Sequence, residues 1–150
     1  MIEPLSQKIV IVPAILPSEG VSAATALNGA VLDLSLYSVD RVLIVVQFGP
    51  ITAGAATSIK AQVDTVVAMD SAEDIVGSSV TVADTGDDKT FYIDVINPPQ
   101  QFLRVAVSRA TQVATVASAF YLLYGMRNRP VTHPATVTGE IHRDKAVGTA

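Results

Sequence analysis

Apolar and polar residues alternate with period two along most of this chain, the pattern of strands with one face in a core. Residues 31–37 put Leu32, Leu34 and Leu36 on one face, with Asp33 and Ser35 on the other. Residues 39–48 place Val42, Ile44, Val46 and Phe48 together. Their opposite face holds Arg41 and Gln47 but also Leu43 and Val45, so this strand is expected to be central and covered on both sides. Residues 58–67 set Ile59, Ala61 and Val63 against Lys60, Gln62 and Asp64. Residues 90–96 turn Phe91, Ile93 and Val95 inward, and residues 102–108 do the same with Leu103, Val105 and Val107. Residues 119–124 close the series as a strand of aromatics and leucines, and residues 8–12 read as an edge or arm strand.

The breaks between these runs carry turn chemistry: Asn28-Gly29, Gly49-Pro50, Asp84-Thr85-Gly86-Asp87 and Asn97-Pro98-Pro99. Residues 83–89 read as a hairpin loop joining a strand at 80–82 to the one at 91–95. Residues 71–76 fit one helical turn, and 109–119 fit the end of one strand, a turn and the start of the next. The expected fold is therefore all-β, a β-sandwich or jelly roll of about seven to nine strands. Three regions follow: an N-terminal arm or edge strand (1–27), a β-sandwich domain (28–129) and an extended C-terminal arm (130–150) rich in Thr, Val and Pro.

Composition sharpens this picture. Of 150 residues 49% are apolar and only 16% charged, against about 25% charged in an average soluble domain. So little charge leaves apolar surface that partners are expected to cover. The charge is also uneven. Residues 1–100 hold twelve acids and four bases, whereas residues 101–150 hold two acids and six bases. An acidic body with a basic end suits protein contacts and lacks the basic stripe of a nucleic-acid binder. The longest apolar stretch, 113–124, is too short for a spanning helix of roughly 20 residues, so no membrane role is expected. Lys8 followed by the apolar run 9–16 faintly resembles a secretion signal, but Glu3, Pro13 and Pro17 fit one badly.

The absence of cysteine removes disulfides, thiolate nucleophiles and Cys-type metal sites. The two histidines, His133 and His142, both lie in the expected arm and make a poor ligand pair, so no metal or cofactor is expected. Asp84, Asp87 and Asp88 lack the spacing of a calcium loop and read as an Asx-type hairpin turn whose carboxylates satisfy local backbone donors. Asp84-Thr85-Gly86 resembles the signature of aspartic proteases, in which two such aspartates share a proton. The glycine-containing flap of that family has no counterpart, because no glycine occurs between Asp87 and Tyr124. No nucleophile elbow, phosphate loop or dinucleotide fingerprint is present, and the expectation is a protein that is not an enzyme. The basic end leaves Arg104, Arg109, Arg127 and Arg129, with Pro130 and Val131, as candidate partner contacts.

Two stretches have a familiar texture. Residues 102–111 form a strand carrying Arg104 and Arg109 followed by Ala110-Thr111. Residues 119–131 form an apolar strand ending in Tyr124-Gly125-Met126-Arg127, then Pro130-Val131. Together they resemble small capsid decoration (cement) proteins encoded beside the major capsid protein in tailed bacteriophages. A weaker likeness reaches back to Asn28 and includes 42–50. The resemblance implies a structural virion protein, made in the host cytoplasm, that sits on the outer capsid surface. It implies a homo-oligomer, dimer or trimer, that bridges subunits of the major capsid protein and stabilises the head. A tail or head–tail connector component is the alternative, and an aspartic protease using Asp84 a more distant one.

Overall fold

A computed structural model describes residues 3–141. They form two antiparallel sheets around one core. The strands are β1 (Val10–Ile15), β2 (Leu27–Asn28), β3 (Leu32–Asp33), β4 (Arg41–Ile51), β5 (Ala56–Asp64), β6 (Glu73–Asp74), β7 (Val80–Val82), β8 (Thr90–Ile96), β9 (Phe102–Ala110) and β10 (Ala114–Leu123). One sheet has the order β1-β10-β4-β8. In the other, β2 and β3 pair with one edge of β9, β5 with its opposite edge, and β6 and β7 with the far side of β5.

This order decides between the two expected architectures. β2 and β3 act as one interrupted strand, as do β6 and β7, so each sheet is four strands wide. Successive strands then alternate between the sheets, except at the step from β5 to β6 and β7. That is the path of a jelly roll, two Greek keys folded face to face. The inward residues are the ones the alternation selects: Val42, Ile44, Val46 and Phe48 on β4, Ile59, Ala61 and Val63 on β5, and Leu103, Val105 and Val107 on β9 are all buried in one cluster. β1 is an edge strand whose Val10 and Ile15 enter that cluster.

The all-β sandwich expected from the alternation is the fold that forms; ten strands occur among the described residues, the two-residue pairings β2, β3 and β6 being too short to leave a periodic signal. Other expectations need correction. The run 31–37 is not one strand: after β3 the Asp33 carboxylate accepts from the Ser35 N–H and hydroxyl and turns the chain into a 3-10 turn, Leu34–Leu36. Leu34 stays buried, but Leu36 is thrown out to 74% exposure. Residues 71–76 hold β6 rather than a helical turn. The loop 83–89 is not a hairpin, since β7 pairs with β5 in one sheet and β8 with β4 in the other. Gly49-Pro50 does not end its strand. The register passes from Ile51–Ala114 to Phe48–Val116, so Gly49 and Pro50 together oppose Thr115 in a bulge, where a missing N–H is tolerated.

A single phenol bridges the sheets. Between β2 and β3 the chain leaves the edge of β9, and there the Tyr121 hydroxyl reaches across from β10. It accepts from the Val105 N–H at 3.0 Å and donates to the Ala30 carbonyl at 2.7 Å. Gly29 makes room: a Cβ there would lie 2.7 Å from Val105 Cγ1 and 3.1 Å from the Tyr121 hydroxyl.

Candidate partner-contact surface

The six candidate contact residues do not form one patch. Arg104 projects from the outer face of β9, half-buried, and its Nε donates to Gln62 Oε1 at 3.0 Å. Gln62 Nε2 and Lys60 Nζ both donate to Asp74, each at 2.7 Å. The outer face of this sheet thus carries a polar chain of Lys60, Asp74, Gln62 and Arg104, and these bonds hold the Asp74 carboxyl below its ordinary pKa, the Lys60 bond first.

Arg109 is not a contact residue. It is 5% exposed, and its guanidinium is spent inside the molecule. Nε donates to the Thr25 carbonyl, and Nη1 donates to the carbonyls of Val21 and Ala114. It pins the irregular segment 20–26 to the sandwich through backbone acceptors, and burial moves its pKa downward. Alternation alone places Arg109 inward with Val105 and Val107, which is how the sequence signals it.

Arg127, Arg129, Pro130 and Val131 gather beyond the far end of β10. Arg127 is exposed beside Leu34, Ser38, Val39 and Asp40. Arg129 pairs with Glu3 at 3.0 Å, both partly exposed, which is worth little in water. The Arg129–Pro130 peptide is cis. Val131 is half-buried against the core, and its N–H donates to the Gln7 carbonyl. His133 completes this latch. Nδ1 accepts from the Ile11 N–H at 3.2 Å, while Nε2 lies 3.0 Å from the Ser6 carbonyl and carries the proton. Residues 131–133 are therefore docked on the chain's own N-terminal segment, not loose, and His133 is not a free tail residue. His142 and the rest of the expected arm lie outside the described residues.

The outer face of the β1-β10-β4-β8 sheet is the surface that the sequence reading misjudged. β4 is central in its sheet, as expected, but no second layer covers its outer side among the described residues. Neighbouring pairs put Ile11 beside Leu122, Pro13 beside Phe120, Leu122 beside Leu43, Phe120 beside Val45, and Val45 beside Tyr92. The inner rows of this band are half-buried, Ile11 lying also beside the segment 130–141, while Tyr92 and Ile96 on β8 are 68% and 60% exposed. The two outer faces of the sandwich thus differ in kind, one apolar and one polar. The legible signal is the apolar runs 42–46 of β4 and 119–123 of β10, which are adjacent strands with apolar residues on both faces. At one corner the band meets charge: the Tyr124 hydroxyl donates to Asp94 at 2.7 Å, and Arg41 lies 6.0 Å from the Tyr124 ring centre.

The aspartate loop is structural in its bonding. Asp84 accepts from the Gly54 N–H at 2.9 Å and Asp87 from the Ile51 N–H at 2.6 Å. The donors are not local ones, as the turn reading had it, but lie at the distant end of β4 (Ile51) and in the connection that follows it (Gly54). Among the described residues there is no cluster of three or more metal-ligating side chains, and no helix is long and apolar enough to cross a membrane. No protein-family model matches the chain, and no curated protein matches it.

Proposed function

We propose that this protein is a structural component of a tailed-phage virion, a decoration protein that bridges subunits of the major capsid protein on the outside of the head. The observation that carries the reading is the apolar outer face of the β1-β10-β4-β8 sheet, set against a polar face on the opposite side. A band built from Phe120, Leu122, Leu43 and Val45 and bordered by exposed Tyr92 and Ile96 suits a surface that a protein partner covers. The resemblance in residues 102–131 supplies the kind of partner, and it falls on β9, β10 and the latch that follows. The jelly-roll path is compatible with this role without requiring it, because folds of this type serve many functions. The mechanism is bridging. The apolar face packs on one capsid subunit, the chain beyond the latch or a second copy reaches another, and many modest contacts add through multivalency.

Co-sedimentation of the purified protein with capsids that lack it tests the reading. Saturable binding at a fixed ratio to the capsid subunit is expected. Absence of binding to mature, expanded capsids would overturn it and favour a tail or connector position.

A further inference from the structure

We infer that β8 is a self-pairing edge, through which two copies of this chain join antiparallel into one continuous sheet. A two-sheet sandwich has four edges, and here three are blunted. The β2/β3 edge consists of two two-residue pairings separated by the excursion at Gly29. The β6/β7 edge is likewise split, into pieces of two and three residues. On the β1 edge Pro13 sits beside a break in register, and His133 already takes the Ile11 N–H. The β8 edge has none of these devices. It is seven residues long, pairs with β4 in unbroken register, and contains no proline, lysine or glycine.

The direction of its free backbone groups follows from the ladder. Phe48 N–H donates to the Lys89 carbonyl and Asn97 N–H to the Asp40 carbonyl. The odd-numbered residues of β8 therefore bond to β4, and the N–H and C=O groups of Thr90, Tyr92, Asp94 and Ile96 point away from it. Their side chains also occupy the outer face, where Tyr92 and Ile96 are the exposed apolar ones.

A second β8 satisfies these groups in a register that can be derived. A two-fold axis through Ile93 sets Tyr92 opposite Asp94 of the second copy and Thr90 opposite Ile96, with each such pair exchanging hydrogen bonds. No like charges then stand directly opposite, whereas a slip that moves the axis to Asp94 would set two carboxylates face to face. The interface is self-complementary, as a two-fold dimer requires. It also runs the two apolar outer faces together into one surface. The inference does not depend on the virion reading, because it concerns the purified chain alone.

Sedimentation equilibrium of the purified protein and two Tyr92 variants provides the test, with circular dichroism as the check on folding. Tyr92 is mostly exposed, so neither change should unfold the monomer. The wild type is expected in a monomer–dimer equilibrium. Tyr92→Asp puts carboxylate opposite Asp94 twice per dimer and should weaken association on the order of tenfold or more. Tyr92→Lys puts an ammonium opposite each Asp94 and should retain the dimer. A wild type that stays monomeric overturns the inference, as does a dimer indifferent to both changes. Equal loss in both variants overturns the register. Because the chain has no cysteine, a second readout is available: Tyr92→Cys and Asp94→Cys proteins should form a disulfide when mixed, in preference to either alone. Preferential cross-linking within each single variant would contradict the pairing.

Discussion

Tyr121 stands where a strand is missing. The Val105 N–H faces the gap between β2 and β3, and the phenol fills the place of a ladder carbonyl. Burial, despite the Val105 bond, drives its pKa well above that of an ordinary tyrosine, so the hydroxyl stays protonated and can donate to Ala30. Tyr121→Phe preserves the ring packing and strands the Val105 N–H, which should cost about 1–3 kcal/mol. A lower denaturant midpoint at unchanged m-value would register that loss. Carboxylates act in the opposite pH range. Burial raises the pKa of Asp64, but the N–H groups of Val66 and Ser71, with Thr65, outweigh it and hold the carboxyl below its ordinary value. Asp33 and Asp74 are lowered too, chiefly by side-chain bonds from Ser35 and Lys60. A depressed folded-state pKa contributes stability that is full above the ordinary carboxylate range and is lost as pH falls through the folded value. Melting temperature should therefore decline on acidification below that range, and Asp64→Asn should flatten the decline while lowering the plateau at neutral pH.

At the scale of elements, the long strands were readable because each has one face in the core. In β4, β5, β8 and β9 the alternation alone names the inward residues. What escaped were features set by groups distant in sequence. β2 and β3 exist because β9 offers them an edge, and β6 because β5 does. The loop 83–89 has hairpin chemistry, yet Asp84 and Asp87 spend their carboxylates on Gly54 and Ile51 as the chain crosses between sheets. Among the contact candidates, Arg109 was misassigned because charge suggested surface, while its position in the alternation suggested interior; three carbonyls made the interior tolerable. The C-terminal latch was equally invisible, since its partners, Ser6, Gln7 and Ile11, lie more than a hundred residues away. If the His133 ring holds that latch, His133→Ala should leave the sandwich folded but open the chain after Pro130 to protease. Limited proteolysis with mass analysis would show early cuts between 130 and 141 in the variant alone, and identical digestion patterns would assign the docking to Val131 instead.

For the whole molecule, the difference between its two outer faces is open to direct comparison. Both faces belong to four-strand-wide sheets and both share one core, so substitutions on either side can be checked for folding by one and the same melting measurement. They should not perturb binding alike if one face meets the shell. Phe120 and Ser58 are both half-buried outward residues, one on β10 among apolar neighbours and one on β5 near polar ones. Phe120→Glu sets a carboxylate in the middle of the apolar band, where a covering partner would have to desolvate it without a counter-charge. Ser58→Glu adds the same charge to a face already built from Lys60, Asp74, Gln62 and Arg104. Bound fraction in co-sedimentation should therefore collapse for Phe120→Glu and hold for Ser58→Glu, with melting temperatures of the two variants confirming that each is folded. Because a multivalent clamp multiplies the loss at each contact, the first change should be felt more strongly on intact capsids than on isolated capsid subunits. Equal binding by both variants would move the contact off the apolar face. The polar sheet, or the chain beyond the latch, would then have to carry the bridge.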